Sequence, residues 1–487
     1  MFGKDFLFGV SMSGFQFEMG GEDSTDPNSD WFMWVRDGVN IASGLVSGDL
    51  PENGVDYWNK FKGDHDLMRE FGIGAVRIGI EWSRIFPSST KGVEVEVERD
   101  GSAIKSVKIT KENLKELEKL ANMEAVERYK EIMKDIKGKG MWLMVNLNHF
   151  TLPLWIHDPV KVRKFGVENV GESGWYSEDT VVEFAKFSAF CAQEFGNLVD
   201  AWSTMNEPQV VSSLGYILIN AGFPPSYPSF EAYIKATINL AQAHARAYDS
   251  IKSMSDKEVG IIYSFSPAYP VDGKDGEHVD MANYYQNFWF MDMITSGRIG
   301  KLFEGFPELE RSDMKDKVDF LGVNYYTRMV VDKGGPMGWR VLGGYGYGCE
   351  PYSRSKSGYP ASQVGWEIYP KGLYDIIRML HERYELDMIV TENGTADPED
   401  KLRPYYLISH IYEVERALSE GYPVLGYLHW SFMDNYEWSK GFDKRFGLVQ
   451  VDLESKSRNP RPSAYIYSEI IKKRTTKGMV ESVPYEI

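Results

Sequence analysis

Ala201-Trp202-Ser203-Thr204-Met205, running into Asn206-Glu207-Pro208, is the stretch from which the rest of this 487-residue chain is best read. The run is apolar and aromatic enough for a β-strand, too short for a helix, and it stops on polar side chains. Seven other runs share this form, at 6–10, 75–80, 141–147, 259–263, 318–323, 388–391 and 424–428. Helical periodicity fills intervals between them, at 114–137, 180–195, 230–251, 369–384 and 405–418. Strands alternating with helices imply a parallel sheet. Eight strands of near-continuous apolar character are buried on both faces. That suits a closed (β/α)8 TIM barrel of the α/β class better than an open sheet.

A minimal barrel of this kind needs about 250 residues, so roughly half of the chain is left for loops. One insertion is 91–109, where Val93-Glu94-Val95-Glu96-Val97-Glu98 alternates before Arg99-Asp100-Gly101 turns, the signature of a β-hairpin. Another is 331–365, rich in Gly and Tyr and placed after the sixth strand, where a long loop can wall a site. With no repeat, low-complexity tract or linker, residues 1–487 read as one domain.

Composition excludes several classes. The 71 acidic residues outnumber the 54 basic ones, giving a net charge of −17 and no basic patch for nucleic acid or an anionic membrane. No stretch is apolar enough to span a bilayer, and Met1 to Val10 does not read as a signal peptide, so a cytoplasmic location is expected. Cys191 and Cys349 are too few for a disulfide framework, and a single bond between them is left open. His149 and His157 lack acidic or thiol partners at ligand spacing, so neither a metal nor another cofactor is expected. Aromatic residues make up 14% of the chain, enough to furnish both a core and a stacking surface.

In a barrel, chemistry gathers where strands end. The fourth run ends in Asn206-Glu207-Pro208 and the seventh in Thr391-Glu392-Asn393-Gly394. Pro208 is expected to hold Glu207 extended, and Gly394 to turn the chain away after Glu392. Two carboxyl groups facing each other across the barrel mouth are what glycoside hydrolysis needs. One is a protonated acid for the leaving oxygen, the other an anion for the anomeric carbon.

The chain resembles the glycoside hydrolase family 1 β-glycosidases from Phe6 to about Tyr467. The resemblance is carried by Phe6-Leu7-Phe8-Gly9-Val10-Ser11-Met12-Ser13-Gly14-Phe15-Gln16-Phe17-Glu18, by Asn206-Glu207-Pro208 and by Thr391-Glu392-Asn393-Gly394. His429-Trp430-Ser431-Phe432-Met433-Asp434-Asn435-Tyr436-Glu437-Trp438 completes it. The hairpin and Gly222-Phe223-Pro224-Pro225 resemble the archaeal, thermophilic branch. The resemblance implies a retaining, exo-acting β-glucosidase or β-galactosidase working by double displacement. Glu392 would be the nucleophile and Glu207 the acid, then the base. It implies that Arg77 and Tyr325 hold Glu392 ionised and oriented. It implies Gln16, His149, Asn206, Trp430 and Glu437 as partners of the sugar hydroxyls, with Asn206 serving the 2-OH. Trp438 would be an apolar platform, Phe446 a wall of the glycone pocket and Trp366 a wall on the leaving-group side. It also implies a homo-oligomer, a tetramer in this branch.

Two positions depart from the family pattern. Phe150 stands where many members carry Trp, which removes an indole N–H from the sugar's 3-position. Lys444 matches a lysine of the phospho-glycosidase members, but Glu437 and Phe446 do not match theirs. A 6-phospho-β-glycosidase, a transglycosylase using the same residues and a non-catalytic sugar-binding protein are the rival readings. The intact Glu207–Glu392 pair argues against the last. Scarce Gln and Cys are thermophile traits, whereas 21 Met residues are not.

Overall fold

All eight runs become strands. In the computed structural model, which describes residues 1–479, they are β1 Leu7–Ser11, β2 Ala75–Gly79, β3 Trp142–Asn146, β4 Ala201–Asn206, β5 Glu258–Ser264, β6 Phe320–Asn324, β7 Asp387–Glu392 and β8 Val424–Trp430. They close a parallel barrel in chain order, with β1 hydrogen-bonded to both β2 and β8. The final residues, 480–487, lie outside the described residues.

Strand alternation divides the side chains into two sets. Ala75, Met144, Ala201, Ile262, Phe320, Ile389 and Leu428 form one apolar cluster inside the barrel, joined by Leu7, so each strand contributes to it. Their neighbours, among them Val76, Leu143, Trp202, Ile261, Leu321 and Val390, face outward into the larger core shared with the helices. Between the strands run helices Tyr57–Glu70, Met123–Gly138, Glu178–Phe195, Phe230–Lys252, Lys371–Tyr384 and Arg403–Ser419, with Pro462–Lys473 closing the ring after β8. Among the described residues no helix is long and apolar enough to cross a membrane.

The helical stretch at 114–137 is two helices, Lys111–Leu120 and Met123–Gly138. Asn122 ends the continuity because its side chain accepts the backbone N–H of Ala125, an N-cap inside an otherwise helical pattern. The hairpin forms as expected, with strands Glu96–Asp100 and Ala103–Lys108 paired antiparallel. Cys191 and Cys349 are both free and buried.

Candidate active site

Three barrel-strand pairs slip register, two of them close to the C-terminal end. The shifts fall between Ser203 and Asn206 against β5, between Val323 and Asn324 against β7, and between Met388 and Ile389 against β8. Such irregularities re-aim side chains, and the first two lie beside Asn206, Glu207 and Glu392.

Glu392 is 3% exposed and closes β7. Its Oε1 accepts Arg77 Nη2 at 2.5 Å and its Oε2 accepts the hydroxyl of Tyr326 at 2.6 Å. Arg77 comes from the middle of β2, is fully buried, and also donates to Asn206 Oδ1 at 3.2 Å. Burial and the charge of Glu392 drive the Tyr326 phenol far above its ordinary range, so it remains a donor. The hydroxyl beside Glu392 is therefore not that of Tyr325. Tyr325 points the other way, donating to the carbonyl of Tyr369 at 2.6 Å within the strand–helix core. Parity explains the correction: Phe320 faces into the barrel and Leu321 out, so Asn324 and Tyr326 fall on the inner side and Tyr325 on the outer.

Glu207 also departs from expectation. Its backbone is left-handed, φ 50° and ψ 57°, rather than extended. A following proline disfavours the right-handed helical region but does not select among the alternatives. The turn lets Glu207 N–H reach Ile262 O at 2.8 Å while Pro208 opens the next helix at its first position. Non-glycine residues in this region are strained, and such strain is found where a side chain must be aimed. Glu207 Oε1 accepts Asn324 Nδ2 at 2.8 Å, and Asn324 is itself held by Thr391 Oγ1 at 2.8 Å. Burial, then the negative charge of Glu392, pushes Glu207 up to about 8. Asn324 is absent from the expected site, although an Asn ending an apolar run, as Asn206 does, was a signal for it.

Gly394 is needed for close approach rather than for a turn. A Cβ there would lie 1.7 Å from the carbonyl oxygen of Trp430.

The remaining expected residues fall into two aromatic groups. His149 lies parallel to Trp430 and to Trp438, with ring centroids 5.9 and 5.7 Å away. Burial and the Arg77 cation hold His149 well below its usual range, so it is neutral. Asn206 Nδ2 approaches His149 Nε2 at 3.4 Å. Gln16 has its amide fixed by Asn435 Oδ1 and Tyr436 O, each 3.0 Å from Nε2. Trp438 is stacked on Phe15 at 5.6 Å and packed against Phe150 at 4.8 Å. Phe150 therefore belongs to the support of Trp438. Glu437 is pushed up to about 8 by burial, then by the charges of Glu392 and Glu207. The second group joins Trp366, Tyr326 and Phe446, with centroids between 5.4 and 6.4 Å apart. Phe446 thus has ring contacts with Trp366 and Tyr326, and its carbonyl accepts the N–H of Ser431, the residue after Trp430, at 3.2 Å. Lys444 Nζ lies 2.6 Å from a carboxylate oxygen of Asp443.

Two buried carboxyl groups thus stand at the ends of β4 and β7, one bound by a guanidinium and a phenol and the other raised to about 8, in a chain that matches a known family over most of its length. Residues 1–103 and 117–476 fit the model of glycosyl hydrolase family 1. The chain belongs to glycosyl hydrolase family 1. It is a glycoside hydrolase, a β-glycosidase of the retaining kind characteristic of that family. The gap in the family 1 match, 104–116, covers most of the hairpin's second strand and the start of the following helix. This family 1 chain is 50% identical over 469 residues to a β-galactosidase of Saccharolobus solfataricus, covering 96% of this chain and 94% of that protein. A crystal structure of the β-glycosidase from the hyperthermophile Thermosphaera aggregans superposes with a TM-score of 0.95 at 46% identity, covering both chains fully. A β-glucosidase mutant described as derived from a hyperthermophilic tetrameric structure superposes with a TM-score of 0.92 at 48% identity, over 99% of this chain and 98% of that one. The resemblance to the archaeal, thermophilic branch is borne out by these relatives.

Proposed function

We propose that the enzyme removes unphosphorylated β-glucosyl and β-galactosyl units from the non-reducing ends of small glycosides, with Glu392 as nucleophile and Glu207 as acid/base. The observation that carries this reading is the opposed setting of two neighbouring carboxyl groups. Glu392 receives a guanidinium and a phenol, whereas Glu207 is pushed to about 8 and keeps its proton at neutral pH. Glu392 attacks the anomeric carbon as Glu207 protonates the departing oxygen, leaving a glycosyl ester on Glu392. Having given up its proton, Glu207 stays a carboxylate, because the ester has removed the negative charge that adds to burial in raising its pKa, and it takes a proton from the incoming water. Asn206, held by Arg77 and Asn324, is oriented to meet the 2-OH.

Electrostatics favours a sugar without phosphate. A phosphate at the 6-position would enter where burial, then the charges of Glu392 and Glu207, already push Glu437 up to about 8, a site that disfavours further negative charge, while Lys444 is paired with Asp443. The names of the relatives support glucose and galactose as glycones. We further read the chain as one domain, acting in the cytoplasm as a homo-oligomer. Two free, buried cysteines suit a reducing compartment, and the tetrameric origin of one similar structure supports a tetramer.

The deciding experiment is Glu392→Gly on aryl β-glucosides and β-galactosides. Hydrolysis should fall by roughly 10⁴-fold or more, and azide should restore turnover with an inverted glycosyl azide as product. Wild-type rates in this variant, or a retained product from azide, would end the assignment.

A further inference from the structure

Glu81 lies two residues beyond β2 and is 3% exposed, yet it has no place in the chemistry described above. Its Oε1 accepts the backbone N–H of Phe15 at 2.8 Å, and its Oε2 is 2.6 Å from the hydroxyl of Thr151. These partners belong to separate parts of the chain, and each adjoins a residue read here as touching sugar. Phe15 precedes Gln16. Thr151 donates its backbone N–H to the carbonyl of His149 at 3.0 Å. The two segments meet again over Trp438, which Phe15 stacks on and Phe150 packs against.

The surroundings are built for this bridge. Residue 14 is glycine, and a Cβ there would lie 2.5 Å from Glu81 Oε1. The Glu81 backbone is fixed by its N–H to Tyr129 Oη at 2.9 Å, and Tyr129 in turn donates to Glu18 at 2.8 Å. Glu18 is paired with Arg84 at 3.0 Å. Packing alone would not call for a carboxyl group here, since a buried polar group is costly unless its hydrogen bonds are made.

We propose that Glu81 is a positioning residue that ties the Gln16 segment to the His149 loop, so that both recognition side chains meet the glycone together. The proposal rests on the reading of Gln16 and His149 as sugar-binding. Burial, then the charge of Glu18 nearby, pushes Glu81 to about 8, so at neutral pH it is an uncharged carboxyl. Glutamine is then its close mimic: the amide oxygen accepts Phe15 N–H, and the amide nitrogen donates to the Thr151 hydroxyl.

The test is a set of double-mutant cycles on 4-nitrophenyl β-glucoside, with thermal unfolding recorded for every variant. Glu81→Ala should lower kcat/KM by roughly 10- to 100-fold in the wild-type background. In a Gln16→Ala background the same change should cost less than about 3-fold, because the contact it positions is already gone. Its effect on Tm should be the same in both backgrounds, and Glu81→Gln should recover most of the activity. Equal losses of kcat/KM in both backgrounds, or a Gln variant as impaired as the Ala one, would overturn the tie. Should Glu81→Ala not fold, Thr151→Val takes its place in a cycle with His149→Ala, where additive losses overturn the inference. An unchanged kcat/KM in Gln16→Ala itself would instead remove the sugar-binding assignment on which the tie rests.

Discussion

The two ends of the barrel interior are built from the same eight strands and obey opposite rules. At one end Leu7, Ala75, Met144, Ala201, Ile262, Phe320, Ile389 and Leu428 fill the lumen with apolar side chains. At the other, one or two turns of alternation further along, the inward positions carry Arg77, Asn206, Asn324, Tyr326 and Glu392, joined by hydrogen bonds of 2.5–3.2 Å. The apolar layer gains stability from burial. The polar layer holds carboxyl groups out of water, and Glu392 and Glu207 are accommodated there because each finds donors. One end stabilises the fold, and the other spends part of that stability on a fixed arrangement of charge.

Exchanging a side chain for alanine at each end should separate these roles most sharply. Glu207→Ala should lower kcat by about 10²- to 10⁴-fold for poor leaving groups, and far less for a dinitrophenyl glycoside that needs no acid. Its Tm should be unchanged or higher. Leu428→Ala, in the fully buried apolar layer, should lose about 2–5 kcal/mol of stability while the folded enzyme keeps its kcat. Urea unfolding and leaving-group kinetics on the two variants would break the contrast if both lost stability and activity alike.

A finer contrast lies within β6 and the residues after it. Tyr326→Phe removes a donor to the Glu392 carboxylate and should cost about 10- to 100-fold in kcat/KM, the worth of a hydrogen bond to a charged group. Tyr325→Phe removes a donor to a backbone carbonyl in the outer core, and should lower Tm slightly with kcat/KM nearly intact. The reverse pattern would restore Tyr325 to the site.

That pair also marks where the sequence was legible. The eight strands could be found because a two-faced buried strand leaves a continuous apolar run, and all eight are in the barrel. Glu207 and Glu392 could be found because they stand within two residues of the ends of two such runs. Tyr326, not Tyr325, reaches Glu392 because the inner-face parity of Phe320 and Asn324 continues to residue 326, a relation that the end of the apolar run does not show by itself. The left-handed backbone of Glu207 was not legible. It depends on a register slip between β4 and β5 and on a hydrogen bond to Ile262, both set by tertiary pairing. Nor was the role of Gly394, since only the fold brings the Trp430 carbonyl against it. The break at Asn122 is masked in the sequence because the apolar period continues across the cap.

The subtlest difference between the two ends should appear in their response to pH, because the apolar layer has nothing to titrate. At the polar end Glu207 and Glu437 are each raised from the ordinary carboxylate value of 4.5 to about 8, chiefly by burial. Below about pH 4.5 both folded and unfolded chains hold these protons, and stability does not depend on them. Between about 4.5 and 8 the unfolded chain has released protons that the folded one keeps, so ν_U − ν_N is negative and stability falls as pH rises. Above about 8 both forms are ionised and the contribution is fully lost. Tm should therefore decline from about pH 5 to about pH 8, and Glu207→Gln should flatten part of that slope because an amide neither binds nor releases the proton. The wild-type kcat/KM should fall as pH rises through about 8, since glycosylation needs the protonated form of Glu207. A Tm slope unchanged by Glu207→Gln would mean that the proton is held elsewhere, and the basic limb of the rate profile would then need another owner.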